Sequence, residues 1–257
     1  FYALCRRANE YRRGRRRLEG SGDEDVRAFV MAAVKHNGWM LQYANKSFRI
    51  DREIVLAAVT QNGKALHFAD PEVKKDREIV LAAVTEDGPA LLYADEDLKK
   101  DHKIVLAAVT RNGMALYYAD ALFKKDREIV LAAVNQDGDA LRLADDTFKE
   151  DHEIVLAAVG QHGDALQFAF APLKKDREIV LAAVSENGYV LRYVDDTLKK
   201  DHEIVLAAIR QNGWAMGYAS VLLKKDRAFI MSAVTQNGFA LRYVDPKFKN
   251  DPEIVLA

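Results

Sequence analysis

A glycine recurs every 25 residues, at Gly38, Gly63, Gly88 and onward to Gly238, and an aspartate keeps the same spacing from Asp51 to Asp251. A strict period of this length marks a repeat array, in which each unit buries its apolar face on its neighbours rather than in a core of its own. Counted from the aspartate, nine complete units run from 26–50 to 226–250, and a tenth begins at Asp251. The first unit differs in carrying Val26 where the others have aspartate. The chain stops at Ala257 inside an expected helix, so the natural chain is expected to continue.

Each unit reads as helix, stop, shorter helix. Asp51 fits a helix N-cap, with a carboxylate that accepts from free first-turn amides, and Glu53 adds negative charge near the positive helix end. The run Ile54–Val59 is apolar on nearly every side, which predicts a helix covered by the previous unit, the next unit and its own second helix. Ala57 and Ala58 keep side chains small where axes must pass closely. Gly63 suits the left-handed C′ position that ends many helices. Beyond it, Ala65, Leu66, Phe68 and Ala69 give a second apolar segment, Val73 adds one more buried residue, and Lys74-Lys75 close the unit. The prolines agree with this parsing, since Pro252 follows Asp251, Pro89 follows Gly88, Pro71 and Pro246 follow Asp70 and Asp245, and Pro172 sits one position later. A unit is thus a helix of about ten residues, one of about six, and a final 3₁₀ or α turn.

The fold expected is all-α: a right-handed α-solenoid of 25-residue two-helix repeats over 26–257, preceded by a basic helix or linker at 1–25. The alternative is a leucine-rich-repeat-like strand/helix solenoid, because the period lies in that range and IVLAAV is short enough for a buried strand. The alanine pair, the Asp/Pro start and the glycine stop favour the helix.

The phrase D-x-E-I-V-L-A-A-V, followed by N-G and A-L-x-[FY]-A, stands complete in Asp51–Ala69 and recurs with few departures. These residues resemble the tandem repeat known as domain of unknown function 4116, over residues 26–257. The departures are Val26, Arg27 and Ala28 in the first unit and Ala228, Phe229 and Ile230 in the ninth. The resemblance implies tandem helical repeats and no established activity.

Composition narrows the function. The 38 Lys+Arg and 39 Asp+Glu leave a formal charge of −1. Residues 1–20 carry seven arginines against two glutamates, a net +5, which leaves −6 on residues 21–257. Runs such as Ile54–Val59 fall far short of the about 20 apolar residues of a membrane span. Cys5 is the only cysteine, so no internal disulfide forms, and no signal peptide is visible in a chain that begins at Phe1. An intracellular protein is expected. His102, His152 and His202 share one place in units two apart, roughly 16–20 Å from one another, too far to share a metal. His36, His67 and His162 stand at scattered places. No nucleophile elbow, phosphate loop or distinctive carboxylate pair is present, so no enzyme, cofactor or metal is expected.

Positions that vary between units carry the remaining information. The residue after each glycine and the one three later share a face of the second helix. Trp39, Met114, Tyr117, Tyr189, Trp214 and Phe239 fall there, and Leu122 and Leu222 lie in the following turns. Both tryptophans of the chain occupy the same place. Exposed aromatic and methionine side chains suit a protein interface, against the alternative that they fold down as extra packing. Arg6, Arg7, Arg12, Arg13, Arg15, Arg16 and Arg17 form a second candidate site, for RNA, another anionic surface or an acidic protein. The reading is a non-enzymatic repeat scaffold for protein–protein interaction, possible as a subunit of a larger assembly. The alternatives are a nucleic-acid-associated protein binding through the arginine segment, and a targeting array of a larger enzyme.

Overall fold

A computed structural model describes residues 23–257, so the arginine cluster at 6–17 and nearly all of the basic segment lie outside the described residues. The chain divides into two compact units, split between Ile129 and Val130. Each is a solenoid of 25-residue repeats, and among the described residues there is no strand, which removes the leucine-rich-repeat alternative. In the first unit, ten-residue α-helices run Arg52–Gln61, Arg77–Glu86 and His102–Arg111, after a longer one at Asp23–His36. In the second they run His152–Gln161, Arg177–Glu186, His202–Gln211 and Arg227–Gln236. The helix Arg127–Gln136 spans the division. Each is followed by a six-residue 3₁₀ helix that starts at the glycine, as at Gly63–Phe68 or Gly188–Tyr193, and then by a short closing turn such as Val73–Lys75.

Three side-chain caps write this three-part unit. Asp51 Oδ1 accepts from the amides of Glu53 and Ile54 at 3.0 and 3.1 Å and starts the α-helix. Asn62 Oδ1 accepts from Lys64 at 3.0 Å and starts the 3₁₀ helix. Asp70 Oδ1 accepts from Glu72 at 3.3 Å and starts the closing turn. Each carboxylate or amide oxygen satisfies a donor that a helix start leaves free. Exceptions follow from chemistry: Asp87 makes no cap bond because Pro89, two residues on, has no amide hydrogen to give.

The glycines end the helix for a different reason than the one expected. None of the eight repeat glycines at 38, 63, 88, 138, 163, 188, 213 and 238 is left-handed. Asn62 makes the break instead, in extended conformation at φ −155°. Glycine is required by proximity. A Cβ on Gly63 would sit 2.2 Å from the carbonyl oxygen of Ala83 in the next helix, and one on Gly163 would sit 2.5 Å from that of Ala183.

The core is a repeated set. Ile54, Val55, Ala58 and Val59 of the α-helix are fully buried with Ala65 and Leu66 of the 3₁₀ helix, and their counterparts recur along both compact units. Burying each Ile, Val or Leu is worth about 1.5–3 kcal/mol, so the stacking of units carries most of the stability. The expectation of a helix covered all round needs correction. Leu56 and Ala57 are half-exposed, as are Leu81 and Ala82, Leu156 and Ala157, because neighbouring α-helices meet along one side and leave the opposite edge open.

Two further links join consecutive units. One is main-chain: the amide of Asp70 donates to the carbonyl of Arg49 at 3.1 Å, Asp95 to Lys74 at 3.1 Å, and Asp195 to Lys174 at 3.1 Å. The other is ionic. Arg27 Nε donates to Asp51 Oδ2 at 2.9 Å, with its Nη2 2.6 Å from Glu53 Oε2, and Arg227 repeats the pattern on Asp251 and Glu253. The Arg27 guanidinium holds the Asp51 carboxyl below its ordinary value of 3.8. His102 takes the arginine's place 3.6 Å from both Asp126 and Glu128, and His152 lies 3.5 Å from Asp176. The expected solvated lysine stripe is half right. Lys75 is exposed, but Lys74 Nζ donates to the His67 carbonyl at 3.0 Å, and burial lowers its pKa.

Candidate interaction face

The residue after each glycine stands second in the 3₁₀ helix, whose buried Ala and Leu, or Ala and Met in Gly213–Tyr218, turn it toward the core and leave the intervening side chains outward. In the second compact unit the 3₁₀ helices Gly188–Tyr193, Gly213–Tyr218 and Gly238–Tyr243 pack side by side. This places Tyr189, Trp214 and Phe239 at the same position of three consecutive repeats. Trp214 is 52% exposed, Phe239 72% and Leu222, in the turn beyond, 74%. Val221 beside it is exposed as well. Tyr189 is half-buried, packed edge-on to Tyr218 with ring centroids 5.4 Å apart. Arg192 lies over the rings of Tyr189 and Tyr193, 4.4 and 4.3 Å from their centroids. The hydrogen bond with Tyr218 and the neighbouring guanidinium lower the pKa of Tyr189. Adjacent repeats of this kind present rigid apolar area together with a cation stacked on aromatic faces.

In the first compact unit the candidates are separated. Tyr117 and Leu122 are exposed, and Tyr117 stands edge-on to Tyr118 at 5.2 Å, while Met114 in the same repeat is half-buried. Trp39 belongs to a repeat three units earlier, where it leans on Phe68 with centroids 5.4 Å apart. His67 continues that row, 5.0 Å from Phe68 and 4.7 Å from Tyr93. The structure thus gathers Tyr189, Trp214, Leu222 and Phe239 in one region, groups Met114, Tyr117 and Leu122 in another, and leaves Trp39 apart.

Sequence reasoning equated varying positions with surface and missed the half-exposed edge of the α-helices. Leu106 and Ala107, with Thr85, Lys103, Thr110 and Arg111, line an open groove between neighbouring α-helices, and Leu56 and Ala57 line another. Leucine and alanine at these places are nearly constant from unit to unit, so variation carried no signal for them.

The family model described as "Domain of unknown function (DUF4116)" matches residues 27–74, 76–124, 126–174, 176–224 and 226–257. The chain belongs to this family. No curated protein and no solved structure matches it. Each of the first four DUF4116 matches spans two 25-residue units, in step with the alternation of Arg77, His102, Arg127, His152, Arg177 and His202 at one place in successive repeats. No described helix of this DUF4116 chain is long and apolar enough to cross a membrane.

Proposed function

We propose that this chain is a non-enzymatic scaffold that binds protein partners through the outward face of its 3₁₀ helices. The observation that carries this reading is the alignment of Tyr189, Trp214 and Phe239 in three adjacent repeats, with Leu222 exposed in the turn after the Trp214 helix and Arg192 stacked on Tyr189. Apolar side chains scattered singly on a surface are ordinary, whereas contiguous aromatic groups with arginine are the composition of interface hot spots. The repeat supplies rigid spacing, and the varying residues supply selectivity.

Affinity capture with the longest natural form, followed by direct binding to each recovered protein, tests the reading. A Trp214→Ser/Phe239→Ser variant should lose the partner with little change in melting temperature. Retained binding, or a melting loss large enough to show that these rings are packing elements, counts against it. The arginine segment supports a second reading, contact with RNA or another polyanion, since seven arginines fall within Arg6–Arg17 while the remaining chain is net negative. Binding that weakens steeply as salt rises, and that is lost on removing residues 1–20, is its expected signature.

A further inference from the structure

Among the described residues, Asp137, Asp139 and His162 bring one donor atom each to within 4.8 Å of one another. Their meeting follows from the stacking register. The residue after each glycine faces the cap residue of the following unit, as Asp164 shows by accepting from Asn187 Nδ2 at 2.6 Å and Lys64 by pairing with Asp87 at 3.6 Å. In the repeat 126–150 the cap residue is Asp137 and the residue after the glycine is Asp139; in the next repeat the cap residue is His162. Asp137 Oδ1 lies 3.1 Å from His162 Nδ1. Two donors held by one ion at about 2.0–2.2 Å stand roughly 3.0–3.5 Å apart, so this pair has the spacing of two ligands of one ion as well as that of a hydrogen bond. Asp137 Oδ1 also accepts from the Asp139 amide at 3.0 Å, and the Asp139 carboxylate has an oxygen within 4.8 Å of both donors.

His162 also departs from the rule of its place. Asn62, Asn112, Asn187, Asn212 and Asn237 all cap their 3₁₀ helices through the side chain, and His162 makes no such bond. An imidazole there gives up a local interaction and turns a ring nitrogen to the carboxylate of the preceding unit. Among the described residues, Asp137 and Asp139 have no lysine or arginine as an ion-pair partner, whereas the comparable Asp87 has Lys64. A residue that breaks the local rule of its repeat is a candidate for a functional position.

We propose that Asp137, Asp139 and His162 bind one divalent transition-metal ion, of the Zn²⁺ type, that links the repeats 126–150 and 151–175. A mixed imidazole and carboxylate set suits such an ion better than Ca²⁺ or Mg²⁺, which take oxygen-rich shells, and the exposed position leaves room for water to complete the coordination. The ion stabilises the junction by binding the stacked state alone.

The test is calorimetric titration of the metal-stripped, untagged full chain with Zn²⁺, with Cys5→Ser in every arm to remove the thiol as a ligand. One saturable equivalent is expected, with a higher melting temperature in Zn²⁺. His162→Asn installs the cap residue of the neighbouring repeats, so it should fold at least as well without metal while weakening Zn²⁺ binding at least tenfold. Asp139→Asn should weaken it in the same direction. No saturable equivalent in the parent chain, or unchanged affinity in both variants, overturns the site. Equal binding of Mg²⁺ or Ca²⁺ at the same concentration overturns the metal class.

Discussion

Gly160 and Gly163 stand three residues apart and face different surroundings. A Cβ on Gly163 would approach the Ala183 carbonyl oxygen to 2.5 Å, while one on Gly160 would meet nothing within 4 Å. The carbonyl belongs to a helix and cannot turn aside, so Gly163→Ala must push two units apart, at a cost of about 1–3 kcal/mol for overpacking. Gly160 lies inside the helix His152–Gln161 with neither that neighbour nor a left-handed backbone, so Gly160→Ala is expected to stabilise by about 0.5–1 kcal/mol. Urea unfolding of the two variants should shift the midpoint in opposite directions. A Gly163→Ala shift of the same sign and size as that of Gly160→Ala would argue against proximity as the reason for the repeat glycine. The residue was legible in the sequence, but its reason was not: a period of 25 marks where glycine is needed without saying which atom of the next unit presses on it.

At the scale of the element, the α-helix and its aspartate cap were readable because cap, acidic first turn and apolar run are local signals that agree. The length of the six-residue segment was also readable, but not the asparagine cap that starts it. Asn62 in fact closes one element and opens the next, accepting from Lys64 while its own amide donates to the Ala58 carbonyl at 2.9 Å. The half-exposed Leu56 and Ala57 were unreadable for another reason, since an apolar pattern counts hydrophobic residues and not the neighbours that cover them. The cap assignment makes a paired prediction. Asn62→Ala removes an accepted hydrogen bond and should cost about 1 kcal/mol. Asp87→Ala removes a side chain that caps nothing, Pro89 having no amide to offer, and loses only an exposed pair with Lys64. Its cost should be clearly smaller, and equal losses in thermal melts of the two variants would argue against the cap as the start signal.

Because each repeat touches only its neighbours, the molecule as a whole should tolerate loss of a full period and no other length. Removing residues 76–100 joins Lys75 to Asp101. Arg52 then stands where Arg77 stood, one unit before Asp101, and Gly63 takes the place of Gly88 against the Ala108 carbonyl. The caps, the main-chain bond between units and the buried Ile, Val and Leu set all return in register, since every one of them recurs at the same spacing. Removing residues 76–95 instead joins Lys75 to Glu96, deletes an α-helix with its cap, and leaves a closing turn with nothing to close. The 25-residue deletion should fold with a helical circular-dichroism spectrum and one cooperative urea transition. Its denaturant slope should fall by roughly a tenth, in proportion to the surface that one unit buries. The 20-residue deletion should be markedly less stable despite keeping more of the chain. If the shorter deletion were the better tolerated, the stability of this chain would not lie in the register between units.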